Sequence, residues 1–428
     1  MKYLTTLALI LLLSIHASVH SQDSDWNQWR GPKRDGTINI KLPENLEDIE
    51  KSWEVSLGPS YSGPVTQNGF VFTTATVDKK YEAVYCYNEE TGKLIWTSKW
   101  NGAMSVPFFA ASNGSWIRST PLVADGKIFV AGMRDVLTCL NMEDGKILWQ
   151  MDFVKELKTP LPSFGFASSP IYSDGKLVVQ AGSGVIQLDA ENGKILWQAS
   201  KDQGGMNGSA FSSPTIQMIN GKPQLVAQTR EELVGLGWTS GEKLWGVKIP
   251  AFRGMNILTP VRYEDSFFTS SYGGGSFLYD LAGEKIKQEY SWNNTIQAYM
   301  SSPVVLGDHA YMHLRNQRLI CLNLKNGKTA WTSQPFGKYW SLITDGERIL
   351  GLDQKGILYL VDGTPESLEI LSQKKVSNTE TWAHVAINNG NIYIRSLDKL
   401  LCYSLKEKSN APKAGTTVSS VSSVSNLK

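Results

Sequence analysis

The chain has little charge and almost no excess of either sign. Of its 428 residues, 42 are Lys or Arg and 40 are Asp or Glu, which gives a formal net charge of +2. Proteins dedicated to nucleic acid carry a strongly basic surface, so the sequence predicts no nucleic-acid partner. Hydrophobic residues make up 41% of the chain, a share that excludes a wholly disordered protein.

Long apolar runs are also missing. The run Leu4–Leu13 is well short of the roughly 20 residues that span a bilayer. Because Lys2 precedes it and Val19–Ser21 offers a cleavage site, residues 1–21 are predicted to be a secretory signal peptide. The first cysteine, Cys86, lies far from that site. We therefore expect an exported protein, periplasmic or extracellular, that is not an N-terminal lipoprotein and keeps no transmembrane segment after signal removal.

Adjacent cysteines and metal-binding spacings are absent as well. The four cysteines stand at positions 86, 139, 321 and 402, each in a short apolar segment, and are predicted to be buried, reduced thiols. His309 and His313 flank a predicted strand, in which four residues span about 13 Å, too far to share one metal ion. The sequence therefore predicts no metal site and no catalytic residue.

The chain is rich in glycine and aromatic residues, with 38 Gly, 14 Trp, 16 Tyr and 14 Phe. This composition favours β structure over helix bundles. A turn containing Gly, with Trp four residues later, recurs every 48 to 53 residues and once after 86. A degenerate copy with Gly283 and Lys287 fills that double step. The five complete copies are Gly92/Trp96, Gly145/Trp149, Gly193/Trp197, Gly241/Trp245 and Gly327/Trp331.

Each repeat contains four short strand-like segments separated by turn residues. One copy has segments at Pro170–Tyr172, Lys176–Ala181 and Val185–Leu188, followed by a fourth with Trp197. Every copy starts at a Ser/Thr-Pro dipeptide or its equivalent, and there are eight such starts. Four strands per 40–50 residues are typical of a propeller blade. The sequence predicts an all-β protein, an eight-bladed β-propeller of four-stranded antiparallel blades.

The last repeat has only three strands of its own. The segment Lys51–Leu57, with Trp53, can supply the fourth and close the ring, which removes an open sheet edge. The predicted organisation is a signal peptide at 1–21, an N-terminal extension at 22–50, the propeller at 51–408 and a disordered tail at 409–428. We expect a monomeric ring.

The phrase Asp189–Trp197 resembles the repeat of pyrroloquinoline-quinone (PQQ) propellers, and Trp26–Pro32 resembles the start of many secreted bacterial members. The resemblance covers nearly all of the mature chain. It implies that the repeat tryptophans stack on the Gly turn of a neighbouring blade. The tryptophans expected to dock blades in this way are Trp53, Trp96, Trp149, Trp197, Trp245 and Trp331.

The resembled family includes PQQ-dependent dehydrogenases and cofactor-free scaffolds similar to the outer-membrane assembly factor BamB. The fold alone does not separate them. This chain lacks the vicinal cysteines and the haem motif that the enzymes often carry. We expect a non-catalytic scaffold that binds envelope proteins and needs no cofactor. The alternatives are a PQQ- and calcium-dependent alcohol or sugar oxidoreductase, and glycan binding through an aromatic face.

The loops that join one blade to the next are long and aromatic. They emerge on one face of a propeller, where aromatic rings beside a few polar groups suit a binding site. The same rings could instead pack on one another as a lid. The predicted channel-mouth residues are Phe109, Trp116, Arg118, Phe166, Arg253, Trp292, Tyr299, Trp340, Trp382 and His384.

Overall fold

A computed structural model describes residues 25–205 and 211–405. In it the chain forms eight antiparallel sheets arranged as the blades of a propeller, so the predicted fold is confirmed. The predicted signal peptide and tail, residues 1–21 and 409–428, lie outside the described residues. Among the described residues, no helix is long and apolar enough to cross a membrane.

The first four blades each consist of four strands that follow one another in sequence from the channel outward. Blade 1 comprises β2 (Val65–Gln67), β3 (Phe70–Val77), β4 (Tyr81–Asn88) and β5 (Leu94–Asn101). Blade 2 comprises β6 (Leu122–Ala124), β7 (Lys127–Gly132), β8 (Val136–Asn141) and β9 (Ile147–Asp152). Blade 3 comprises β10 (Ile171–Ser173), β11 (Lys176–Ala181), β12 (Gly184–Asp189) and β13 (Ile195–Ala199). Blade 4 comprises β14 (Thr215–Ile219), β15 (Lys222–Gln228), β16 (Glu232–Gly237) and β17 (Lys243–Lys248).

The other four blades include one with a divided outer strand and one that both ends of the propeller build together. Blade 5 comprises β18 (Val261–Tyr263), β19 (Ser266–Ser271), β20 (Gly275–Ala282), β21 (Lys285–Ile286) and β22 (Trp292–Asn294). Blade 6 comprises β23 (Val304–Leu306), β24 (His309–His313), β25 (Arg318–Asn323) and β26 (Thr329–Pro335). Blade 7 comprises β27 (Ser341–Thr344), β28 (Arg348–Leu352), β29 (Ile357–Asp362) and β30 (Ile370–Lys375). Blade 8 comprises β31 (Ala386–Asn388), β32 (Asn391–Arg395), β33 (Lys399–Ser404) and β1 (Glu50–Ser56).

Within residues 25–205 and 211–405, helical structure is limited to short segments outside the strands. The α-helix α1 spans Phe153–Leu157, and 3₁₀ turns span Leu46–Asp48, Phe108–Asn113 and Phe252–Gly254.

Strand β1 closes the ring, as the sequence predicts for Lys51–Leu57. It pairs antiparallel with β33, with Trp53 opposite Cys402 and Ser56 opposite Lys399. Arg395 of blade 8 adds a link to blade 1, because its Nη2 donates to the carbonyl of Thr74 at 3.2 Å. The two ends of the propeller are therefore tied to each other by backbone pairing and by side chains.

Most of the repeat tryptophans dock one blade onto the next. Trp96 lies over Gly145 so closely that a Cβ there would come within 2.4 Å of the indole. Its Nε1 donates to the carbonyl of Met142 in the same neighbouring turn at 3.1 Å. Trp53, Trp149 and Trp197 cover Gly92, Gly193 and Gly241 in the same way.

Blades 4 to 6 vary this arrangement. Trp331 donates to the carbonyl of Thr364 in the next blade, whereas the Nε1 of Trp245 donates to Gln224 of its own blade. In blade 5 the divided outer strand brings Trp292 opposite Leu278 and over Gly327. Trp292 therefore supplies the docking ring that the degenerate repeat lacks, through an insertion that moves the tryptophan further along the chain.

The N-terminal segment, residues 25–49, packs into the channel. Near one end, Trp26 and Thr66 exchange two hydrogen bonds of 2.9 and 3.0 Å. The turn that follows reaches further in, where Arg34 donates to the carbonyls of Ser169 and Pro170 at 3.0 and 2.7 Å. The segment then leaves along blade 7, with Thr37 bridged to Thr344.

Candidate functional site

A belt of hydroxyl groups surrounds the channel where the innermost strands begin. Backbone N–H groups of one blade donate to the hydroxyl of the next blade at 3.0–3.4 Å, for example Thr120 to Ser169 and Ser169 to Ser213. This hydroxyl belt consists of Thr120, Ser169, Ser213, Thr259, Ser302 and, on blade 7, Ser341. It comes from the recurring Ser/Thr-Pro starts, so the repeat itself places a ring of polar groups around the axis.

One end of the channel opens to the loops that join successive blades. In a four-stranded antiparallel blade, these loops and the turns between the second and third strands share one face, which we call the mouth face. A cavity of about 160 Å³ lies there, bordered by the hydroxyl belt. Trp29 of the N-terminal segment contributes to this mouth pocket from within the channel, and Tyr61, Arg118, Trp382 and His384 contribute from the blades.

Arg118 brings a cation with few partners to the mouth pocket. Its hydrogen bond to protein runs from Nη2 to the carbonyl of Gly114 at 2.7 Å. Its buried Nε has no hydrogen-bond partner in the described chain. Burial lowers the pKa of Arg118, partly offset by Tyr61, but the guanidinium remains charged at neutral pH.

His384 is a neutral member of the same pocket. Burial lowers its pKa to about 3, and the positive charge of Arg30 adds to the shift. Its Nδ1 lies 3.2 Å from the hydroxyl of Ser341, and its ring meets Trp29 edge-on with centroids 5.4 Å apart. His384 therefore helps to hold the N-terminal segment and does not act as an acid at neutral pH.

Aromatic rings form two runs on the mouth face, which we call the aromatic arc. Neighbouring centroids lie between 3.9 and 6.2 Å apart. One run is Phe108, Phe109, Phe164 and Phe211; the other is Phe252, Tyr272, Tyr299, Tyr339, Trp382 and Tyr61. Phe108 is 90% exposed, Phe109 55% and Phe252 50%. The arc is thus open to solvent at Phe108, Phe109 and Phe252, and packed where it reaches the pocket.

The ten predicted mouth residues fall into three groups in the structure. Arg118, Trp382 and His384 line the mouth pocket. Four others belong to the mouth-face loops outside it: Phe109, Trp116, Arg253 and Tyr299. Phe166, Trp292 and Trp340 lie elsewhere.

The placement of these last three corrects the sequence prediction. Phe166 is 2% exposed in the core between blades 2 and 3. Trp340 is 1% exposed and stacks on Tyr359 with centroids 5.0 Å apart. Both precede an innermost strand, as Trp382 does, but their side chains enter the apolar space between blades. Trp292 is in the outer strand of blade 5, as described above.

Sequence reasoning did not identify Trp29 and Tyr61 as members of the pocket, and it did not identify the belt that surrounds the pocket. The sequence places Trp29 in an N-terminal extension without a predicted role, although the cluster Trp26, Trp29 and Arg30 is unusual for an exposed segment. Tyr61, which stacks on Trp382 at 4.3 Å, precedes the first repeat. The Ser/Thr-Pro starts indicate the number of blades, and their recurrence at the start of every innermost strand is also a signal for the belt.

Comparison with known proteins assigns the family. The sequence model described as "Outer membrane protein assembly factor BamB" matches residues 80–333, more than half of the chain. The chain belongs to this family. The outer membrane protein assembly factor BamB of Yersinia pestis is 24% identical over 305 residues, which cover 68% of this chain and 72% of that protein.

Solved structures share the fold of this BamB-family chain. BamB from Moraxella catarrhalis superposes with a TM-score of 0.60 at 13% identity, covering 83% of this chain and 97% of that one. Quinohemoprotein alcohol dehydrogenase from Comamonas testosteroni gives a TM-score of 0.65 at 13% identity, covering 93% and 83%. At such identities the likeness concerns the fold alone, so scaffolds and quinone enzymes resemble this family member equally well.

The mouth pocket is a poor match for the quinone and calcium ion that enzymes of this fold use. Its volume is close to that of an engineered cavity of about 150 Å³ that holds one benzene, whereas PQQ is tricyclic. Calcium requires several oxygen ligands, usually with carboxylates among them, but none of the described residues lining the pocket is acidic. Nor do the described residues bring together three or more His, Cys, Asp or Glu side chains in an arrangement that could hold a metal ion.

Proposed function

We propose that this protein is an exported, non-catalytic scaffold that binds other proteins during assembly of the bacterial outer membrane, and that it works without a cofactor. Membership of the BamB family supports the class of function, since its relatives are named as outer membrane protein assembly factors. The observation that carries the proposal for this chain is the exposed part of the aromatic arc on the mouth face.

Large exposed rings on one face are typical of a docking surface. Soluble proteins rarely leave contiguous aromatic surface in water unless it binds something, and aromatic residues dominate the energetics of many interfaces. Phe108 and Phe109 project from the 3₁₀ turn Phe108–Asn113 at 90% and 55% exposure. Beneath this turn, Val106, Ala110 and Met133 form a small buried cluster, which holds it in place. The rings are therefore presented by an ordered support.

A competing apolar surface exists on the outer rim. Ile95, Leu148 and Leu196, each preceding a docking tryptophan, are 43–44% exposed on blades 1 to 3. They come from the repeat itself, one on each blade, and their side chains are smaller than the paired rings of Phe108 and Phe109. The rim thus provides a matched control for the mouth face.

The test is affinity capture of envelope proteins with the double variant F108S/F109S and the control L148S/L196S. We expect the mouth variant to lose at least ~90% of captured partners, since removal of two anchors costs ~2 kcal/mol or more each, while the rim variant captures as the parent does. Loss confined to the rim variant contradicts a docking surface on the mouth face.

The oxidoreductase and glycan alternatives each have a direct assay. Addition of PQQ and calcium to the purified protein, with alcohols or sugars and a redox dye, should give no dye reduction. Dye reduction that a chelator abolishes favours the oxidoreductase alternative. Capture of oligosaccharides that is abolished in F108S/F109S, without capture of proteins, favours glycan binding.

A further inference from the structure

The mouth pocket is far richer in hydrogen-bond donors than in acceptors. The hydroxyls of Ser169, Ser213 and Ser302 each accept a backbone N–H. Among the described residues, none of the three donates its own hydroxyl hydrogen to a protein acceptor. These hydrogens are free to be donated into the cavity that the three residues line.

The charged groups in and beside the pocket are cations, which are themselves hydrogen-bond donors. Arg118 leaves Nε without a partner and uses Nη2 for Gly114. Arg30 lies just inside the channel, where it acts on His384. The carboxylate of Glu380 is close enough to raise the pKa of Tyr61 and Tyr339, yet it accepts a hydrogen bond from Gln354 at 2.7 Å and does not line the pocket. Arg118 is a half-buried cation with a buried, unpartnered Nε and no counter-ion among the described pocket residues, and such a cation favours an anion as ligand.

The shape of the pocket limits what can carry that anion. Trp29 borders it within the channel, while Phe211, Trp382 and Tyr61 supply apolar walls. The volume of about 160 Å³ is enough for one aromatic or large aliphatic group, by comparison with the engineered cavity of about 150 Å³ that holds benzene. An extended chain could enter from the mouth face but has no room to turn and leave again.

We propose that the mouth pocket binds the C-terminal end of a partner polypeptide, with the terminal carboxylate on Arg118 and the belt hydroxyls and the last side chain between the aromatic walls. A carboxylate accepts strongly from a guanidinium and from hydroxyls together, and capture of a chain end by clustered donors is a known mode of peptide recognition. This inference rests on the proposed scaffold function and names the chemistry of its partner.

Calorimetric titration of the full-length protein tests the proposal with the peptide N-acetyl-Ser-Ala-Phe as the probe. The free acid should bind, and the C-terminal amide should bind at least tenfold more weakly because it lacks the charge. R118Q should bind the free acid with at least tenfold lower affinity than the parent, and R118K should recover part of that affinity. R134Q, which removes an exposed arginine from a turn on the same face, should bind as the parent does.

Several results overturn the inference. The carboxylate site is ruled out by any of three outcomes: equal affinity for the acid and the amide, unchanged affinity in R118Q, or no binding of either peptide. Benzoate binding without peptide binding also contradicts it, because the pocket then takes a free small acid. The acid–amide comparison needs no variant, so it stands even if R118Q folds poorly. If peptides fail while F108S/F109S still loses envelope partners, the scaffold function stands alone; if peptides bind but no protein is captured, the scaffold function is the part that fails.

Discussion

At the residue scale, the repeat places cysteine and tryptophan opposite each other. Cys86, Cys139, Cys321 and Cys402 face Trp96, Trp149, Trp331 and Trp53 across a strand pair. Each thiol is at most 1% exposed. The sequence predicts buried, reduced thiols because each cysteine lies in a short apolar segment; in the structure each is in the third strand of its blade, and the four thiols are free. A small side chain at this position leaves room for the indole.

We expect the four thiols to react slowly in the native protein. Burial raises the pKa of Cys86, Cys139 and Cys402 to about 12 and that of Cys321 to about 11, so the reactive thiolate is scarce. Ellman's reagent should count no fast thiol before denaturation and four afterwards. Rapid native labelling of any one of them contradicts its burial.

Which aromatic residues reach the mouth could not be predicted from the sequence. Phe166, Trp340 and Trp382 all precede an innermost strand, so their local patterns are equivalent. Only packing decides that Trp340 fills the space against Phe336 and Tyr359 while Trp382 lines the pocket. That choice depends on the neighbouring blade, which a single repeat does not encode.

Replacement of Trp340 should therefore cost stability. W340A removes a fully buried ring and should lower the free energy of unfolding by ~3–5 kcal/mol, the range for large-to-small core substitutions. F108A, at an exposed ring, should change it by no more than about 0.5 kcal/mol. Urea denaturation measures both, and equal losses contradict the distinction between core and exposed arc.

At the element scale, blade 8 and the N-terminal segment could be predicted to different extents. The missing fourth strand showed that an earlier segment must complete the last blade, and β1 does so. The path of residues 25–49 inside the channel follows from contacts such as Arg30 with the carbonyl of Pro303 at 2.6 Å. Those contacts join residues far apart in sequence, and no repeating sequence pattern predicts them.

Removal of β1 should open the ring. A variant that starts at Gly58 loses the pairing with β33 and leaves an exposed edge, so it should melt earlier and associate. The control is a variant that starts at Glu50, which keeps β1 but lacks the N-terminal segment. Thermal unfolding and size-exclusion chromatography compare them. Both variants lose the buried side chains of the N-terminal segment, so the difference between them reports on β1, and equal melting and equal association of the two variants contradict a specific role for β1.

Blades 1 and 2 are joined by a buried carboxyl whose protonation should set part of the pH dependence. Glu82 is fully buried against Gly102 and Gly132 and accepts from the N–H of Met133 at 2.6 Å. Burial raises its pKa to about 7, although Met133, Trp100 and Arg134 oppose the shift. Folding therefore favours the protonated form, so its stabilising contribution is complete below about pH 4.5 and is lost as the pH rises through 7.

The variant E82Q isolates this contribution. Between pH 4.5 and 8 the parent should lose about 3 kcal/mol of unfolding free energy relative to E82Q, which stays neutral. Urea denaturation across this range measures the difference. If the unfolding free energies of the two proteins change with pH in parallel, Glu82 does not titrate as its burial implies.

At the scale of the whole molecule, eight repeats and a donated strand make a ring whose symmetry is broken at the mouth face. The fold could be predicted because every blade repeats the same strand, turn and tryptophan pattern. The site could be predicted only in part, because its particular residues lie in the loops where the repeat varies. The N-terminal segment packs into the channel, and a small, donor-rich pocket lies between it and the mouth face.

The central claim is that the mouth face binds envelope proteins, and crosslinking inside the cell tests it most directly. A photoreactive phenylalanine analogue is placed at Phe108, which is 90% exposed on the mouth face, or at Leu148, which is 43% exposed on the outer rim. We predict adducts with outer-membrane assembly proteins from position 108 and none from position 148. Adducts from position 148 alone, or from neither position, contradict the account.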